Sequence, residues 1–180
     1  MSEPDDRELW RRHAAGEPEA AAALDRRHRA ALVRFAGSYL RDHALAEDVA
    51  QEALARLFEE AESPRQPRAW LLRATRNLCL NRRRAAGRRV DDQSWQSGWD
   101  PARTRTGPLS RLVRSEDDRQ LRELLGRLPE PTSELLRLRY AEGLSRGEIA
   151  EVLELSPSVV KSRLFEGMQR LREWAERELD

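Results

Sequence analysis

RGEIAEVLELSPSVVKSRLF, residues 146–165, reads as two short helices meeting at a tight turn. Ser145 stands before the first as an N-cap, with Glu148 at the capping-box spacing. Ser156 caps the second, and Pro157 sits at its first position, where a missing N–H costs nothing. Ile149, Leu153, Leu155, Val160 and Leu164 fall at inward positions, and Ala150 is small where the two helices would cross. The pattern is a helix-turn-helix, whose second helix enters the major groove of DNA by its N-terminal end. Ser158, Val159, Lys161, Ser162 and Arg163 face outward there and can reach base edges or phosphates. The plainer alternative is an ordinary helical hairpin.

Upstream, PRAWLLRATRNLCLNRRR, residues 67–84, is a second patterned segment. Leu71, Leu72, Thr75, Leu78 and Cys79 form one inward stripe, with Trp70, Arg73, Asn77 and Arg84 on the opposite face. An aromatic ring among guanidinium and amide groups suits single-stranded nucleic acid, where bases stack on such planes. A Trp covering a core edge beside solvated arginines is the competing reading.

Charge sharpens this. The chain has 180 residues and a formal net charge of +1. Residues 1–62 hold nine basic and fourteen acidic residues, whereas residues 63–89 hold nine arginines and no acid. The plainer reading is a solvated helix face, but such a face normally mixes signs; an unbroken basic block is typical of phosphate contact. Of 33 basic residues only Lys161 is a lysine, a skew that covers the whole chain and says little about one site.

The helical period runs through the rest, and no segment reads as a strand. A helix is predicted from Pro18 to about residue 41, with Leu24, Leu32, Phe35 and Leu40 apolar. Another covers roughly residues 44–61, burying Val49, Ala53, Leu54, Leu57, Phe58 and Ala61 and exposing Asp48, Gln51, Glu52 and Glu59. Pro64 and Pro67 then break the pattern before the arginine-rich helix, residues 67–87. Residues 90–114 carry Gly, Pro, Ser and Asp with no sustained period, which predicts a flexible linker between two small domains. Trp95 and Trp99 in it either meet a partner or fold back on a domain. Beyond it, Ser115 caps a helix to Leu128, and a further helix covers 131–142 and ends at Gly143. The fold class is therefore all-α, with domains at 1–89 and 115–180.

Several classes of function are excluded. No run approaches the ~18 apolar residues of a membrane span, and the acidic start, MSEPDDRELWRR, has no signal-peptide core. Cys79 stands alone, so no intrachain disulfide forms. These features point to the cytoplasm. His13, His28 and His43 make no metal cluster and no Gly-rich phosphate loop is present, so no catalytic residue, metal or cofactor is expected.

The segments AEDVAQEALARLF, PRAWLLRATRNLCLNRRR and LPEPTSELLRLRYAEGLSRGEIAEVLELSPSVVKSRL occur in that order. Together they resemble a bacterial RNA polymerase sigma factor of the sigma-70 family, in the small extracytoplasmic-function (ECF) group. The likeness spans about residues 20–89 and 115–175. It implies a sigma-2 domain, a linker, and a sigma-4 domain. By the resemblance, Asp48, Gln51, Glu52, Ala55 and Glu59 bind the clamp helices of the polymerase β′ subunit, and the β flap is a further contact of the core enzyme. Ser63, Arg65, Arg68, Trp70, Arg73, Arg76, Asn77, Asn81 and Arg82 capture and hold the minus-10 strand, with the loop from Ser63 to Arg68 as the wall of a pocket for an unstacked base. Arg146, Ser158, Val159, Lys161, Ser162 and Arg163 read the minus-35 element. Such proteins direct polymerase to promoters, help melt them, and are often restrained by an anti-sigma factor.

The chain departs from the family pattern at Glu154, in the turn, and at Glu166 and Met168, where basic residues are common. A left-handed Glu154 would be strained by ~1 kcal/mol. These departures imply weaker or altered minus-35 contact. Two other functions fit parts of the chain. A stand-alone helix-turn-helix regulator of duplex operators accounts for residues 115–180 alone, and a sigma-like adaptor would bind protein without reading DNA.

Overall fold

The computed structural model describes residues 3–40, 42–62, 64–86, 127–140 and 142–179. Seven helices and no strand occur among them. The chain divides into two compact units, Met1–Val90 and Asp91–Asp180. The proposed linker at 90–114, with Trp95 and Trp99, lies outside the described residues, as does most of the helix placed at 115–128.

The first unit has four helices: α1 (Asp6–Ala14), α2 (Pro18–Leu40), α3 (His43–Glu59) and α4 (Pro67–Ala85). α2 packs against all three of the others. Its buried residues recur at helical spacing as Leu24, His28, Leu32, Phe35 and Tyr39. From α3 come Ala46, Val49, Ala50, Ala53, Leu54 and Leu57, and from α4 Ala69, Leu71, Leu72, Thr75, Leu78 and Cys79. The alanines let α3 approach α2 closely. Asp42 caps α3, its carboxylate accepting from the Leu45 N–H at 3.1 Å.

Three features depart from the sequence reading. α3 stops at Glu59, so Ala61 lies beyond it and is exposed, and Phe58 is only half-buried. Arg83, unremarked among its neighbours, is buried. The acidic N-terminal stretch forms a helix, α1, capped by Asp5, whose carboxylate accepts from Glu8 N at 2.8 Å. Leu9 and Trp10 are its buried residues. Asp6 ties it to α2, accepting from Arg27 Nη1 at 2.7 Å and meeting His28 Nε2 at 2.8 Å. Burial pushes the Asp6 carboxyl up, but the hydrogen bonds and charge of His28 and Arg27 outweigh it and hold it below its ordinary value. The same pairing with Asp6 raises Arg27.

The second unit contains α5 (Glu130–Tyr140), α6 (Arg146–Leu153) and α7 (Pro157–Leu179). Leu135, Leu136, Leu138, Leu144, Ile149, Val152 and Val160 form its core. Leu153 and Leu155, expected inward, are half-buried at the turn. Gly143 ends the α5 connection with φ 69°, the left-handed conformation that favours glycine. Gly167 of α7 has no side chain because α5 lies against it: an added Cβ would meet Thr132 Cγ2 at 2.7 Å and Leu136 Cδ1 at 3.2 Å.

Candidate functional site

On α3 the residues Asp48, Gln51, Ala55 and Glu59 are exposed and share one face, opposite the buried Val49, Ala53 and Leu57. Glu52 lies at the border of this face and is half-buried. Its carboxylate accepts from Arg56 Nη2 at 2.7 Å and from Arg82 Nη2, on α4, at 3.0 Å. One carboxylate thus joins the acidic face of α3 to the arginine-rich helix. Both side chains of the Glu52–Arg82 pair are about one third exposed, at 36% and 35%, so water screens the attraction.

α4 begins at Pro67, where the ring fixes the first helical turn. Trp70, Arg73, Arg76 and Arg82 are half-buried, and Asn77 and Asn81 are exposed. Asn81 Oδ1 accepts from Arg84 Nη1 at 3.4 Å. An open pocket of about 480 Å³ lies between the end of α3 and this face. Arg56, Glu59, Glu60 and Ala61 line one side, and Trp70, Arg73 and Asn77 the other. Trp70, Arg73 and Asn77 are therefore brought together as expected, and Glu59 of the α3 set joins them. Arg65 is exposed and Arg68 half-buried in and after the proline loop, and neither lines this pocket. Ser63 lies outside the described residues. The pocket can stack a planar ring on Trp70 and offer guanidinium and amide donors to its edges.

In the second unit both capping-box bonds form: Glu148 N donates to Ser145 Oγ at 3.2 Å, and Ser145 N to Glu148 Oε2 at 2.7 Å. Glu154 adopts φ 55°, ψ 42°, the left-handed turn conformation anticipated for it. The turn closes as Leu155 N donates to Ala150 O at 2.9 Å. Ser156 Oγ accepts from Val159 N at 3.4 Å and starts α7. Arg146, Ser158, Lys161 and Ser162 are exposed and line a groove of about 780 Å³. Val159 and Arg163 are half-buried and do not line it. Arg139, Arg172 and Phe165 do line it, and none of them was singled out in the sequence. Phe165 is 63% exposed, the one large apolar side chain so placed among the described residues. A signal for it was present: it follows Ser158 by seven residues and Ser162 by three, on the same helical face.

Residues 24–89 match the family model for sigma-70 region 2, and residues 118–171 the model for sigma-70 region 4. The chain belongs to the sigma-70 family. This sigma factor is 33% identical over 167 residues to the ECF RNA polymerase sigma factor SigL of Mycobacterium tuberculosis, covering 88% of this chain and 90% of SigL. It is 26% identical over 181 residues to the RNA polymerase sigma-H factor of Pseudomonas aeruginosa, covering 95% and 94%. To the "Probable RNA polymerase sigma factor RfaY" of Xanthomonas campestris it is 29% identical over 167 residues, covering 88% of this chain but only 41% of that one. Among solved structures, CnrH in complex with the cytosolic domain of CnrY is similar with a TM-score of 0.65 and 24% identity, covering 96% of this chain and 97% of that one. RpoE from Bartonella quintana, in complex with the anti-sigma factor NepR, gives 0.52 and 24%, covering 81% and 90%. The function that follows is that of an ECF sigma factor, which directs RNA polymerase to promoters. Among the described residues no helix is long and apolar enough to cross a membrane.

Proposed function

We propose that residues 1–89 dock on the β′ clamp helices and hold the minus-10 strand, that residues 115–180 read the minus-35 element and meet the β flap, and that residues 90–114 join them. The chain acts in this reading as a binding subunit with no catalytic group and no cofactor. Asp48, Gln51, Glu52, Ala55 and Glu59 form the polymerase contact. Trp70, Arg73, Asn77 and the pocket they line take an unstacked base, while Arg65, Arg68, Arg76, Asn81 and Arg82 hold phosphates. Opening a base step costs a few kcal/mol, which stacking at ~1–3 kcal/mol per base and phosphate contacts offset. Arg146, Ser158, Lys161 and Ser162 supply the duplex contact from one groove, and Val159 and Arg163, half-buried and outside its lining, add to it from the same helix.

The observation that carries this reading is the junction at Glu52. An acidic helix face and a basic, aromatic helix face lie side by side, share a pocket and share an ion pair. A stand-alone operator-binding regulator gives neither face a role. Activity in the cytoplasm follows from the polymerase partner. An anti-sigma partner is also proposed, as RpoE of Bartonella quintana is described in complex with one.

Sizing-column co-elution with polymerase core, followed by run-off transcription, tests the assignment. Asp48→Arg should abolish co-elution with the fold intact, and unaltered core affinity would refute the α3 contact. Arg76→Glu should allow assembly but impair opening, and an unchanged permanganate footprint of the bubble would refute the strand-holding role.

A further inference from the structure

On the α3 side the wall of the strand pocket is lined by Arg56 and by the three residues that follow Phe58 as α3 ends. Glu59, Glu60 and Ala61 line it, and they face Trp70, Arg73 and Asn77 across the opening. What fixes this wall is not evident within α3. A helix end leaves its last carbonyls without intrahelical donors, and the usual remedy is a left-handed glycine. α3 has none: Glu60 leaves the helix extended, at φ −63°, ψ 135°. The Leu57 carbonyl instead accepts two donors, the Glu60 N–H at 3.4 Å and the indole Nε1–H of Trp10 at 3.3 Å.

Trp10 belongs to α1, which precedes the segment that matches sigma-70 region 2, residues 24–89. It is 8% exposed. His13, one turn on, sets its ring against Phe58 with centroids 4.8 Å apart. The other end of α1 is held to α2 by Asp6 through Arg27 and His28. One of the two donors at the end of α3 is thus presented by a helix that is itself pinned in place.

We infer that Trp10 is a positioning residue for the strand pocket: its indole N–H, delivered by α1, sets the path of Glu59–Ala61 and thereby the pocket's discrimination among bases. This inference rests on the proposed function and adds to it an element that the family match does not contain. Trp10 touches no nucleic acid. It acts through the Leu57 carbonyl, so its effect falls on selectivity more than on assembly.

The test uses holoenzyme reconstituted with polymerase core and a promoter found by run-off transcription. Fluorescence anisotropy measures affinity for the minus-10 single strand and for strands in which the most discriminating base is replaced. The readout is the ratio of matched to replaced affinities. A loss of folded protein lowers both affinities equally and cancels from the ratio. Trp10→Phe keeps the ring packed and removes the N–H. It should reduce the ratio by roughly fivefold, the effect of one net hydrogen bond, with core affinity changed by less than about twofold. Asp6→Asn loosens α1 at its other end and should move the ratio the same way. A ratio unchanged in both variants overturns the inference while leaving the proposed function standing. If Trp10→Phe fails to fold, Asp6→Asn alone decides. A wild-type holoenzyme that shows no preference among the strands overturns both the inference and the pocket assignment beneath it.

Discussion

Removing a basic residue from the strand-binding helix should strengthen polymerase binding. Arg82 and Glu52 form an ion pair at 3.0 Å between α4 and α3. In the proposed function Glu52 meets the β′ clamp helices and Arg82 meets DNA. Any basic group of polymerase that takes Glu52 must compete with Arg82 for it. With both side chains about one third exposed, such a pair contributes about 0.2–1 kcal/mol. Arg82→Gln releases that competition, and core affinity should rise by about 1.4- to 5-fold, since 1.4 kcal/mol corresponds to a factor of ten. The gain should shrink at high salt, because the pair is reachable by solvent ions. Promoter opening should fall at the same time. The assay is a titration of core with fluorescently labelled sigma factor at two salt concentrations. Arg84→Gln is the control: it removes the same charge from the same end of α4, but Arg84 bonds Asn81 rather than Glu52. Core affinity that is unchanged or weaker in Arg82→Gln, or equally raised in Arg84→Gln, would show that Arg82 does not compete with polymerase for Glu52.

Gly167→Ala should destabilise the second unit by about 1–3 kcal/mol, because its Cβ would meet Thr132 Cγ2 at 2.7 Å, closer than a methyl packs, and crowd Leu136 Cδ1 at 3.2 Å; urea denaturation reads it directly. Glu154→Gly should raise stability by about 0.5–1 kcal/mol in the same assay, since the residue sits at φ 55°, where a side chain is strained. Asp6→Asn should cost about 1 kcal/mol or more at neutral pH. Asp6 titrates below its ordinary value of 3.8 in the folded chain, so its contribution is present above that pH and is lost as pH falls through the folded value. The stability difference between wild type and Asp6→Asn should therefore narrow below about pH 3.8, and a constant gap in acid melts would show that Asp6 does not hold α1 electrostatically.

Local relations along the chain were legible in the sequence because the interacting groups sit within one or two helical turns. The capping box of Ser145 and Glu148 joins residues three apart, and Pro157 acts through its own ring. The left-handed turn at Glu154 lies in the three-residue connection between the short α6 and the long α7, a position marked by comparison with the family pattern. The stripe from Leu71 to Cys79 came from periodicity alone, and every member is buried. The exposed face of α3 was read the same way, as was the single-sign run of arginines on α4.

What joins distant segments needed the tertiary structure. α1 offers only Leu9 and Trp10 among charged residues, too little to show a period, and its place depends on Asp6 reaching α2 and Trp10 reaching Leu57, 47 residues on. Phe58 and Ala61 continue the apolar spacing of α3, yet the helix ends at Glu59, where the chain turns away at Glu60. The Glu52–Arg82 pair spans 30 residues and links two surfaces that the sequence reading kept apart. Helical period, caps and charge runs are properties of near neighbours, so local sequence was enough for the described helices beyond α1 and for most of their buried faces. Which faces share a pocket, and which carboxylate answers which arginine, depends on how helices pack, and packing alone decided those.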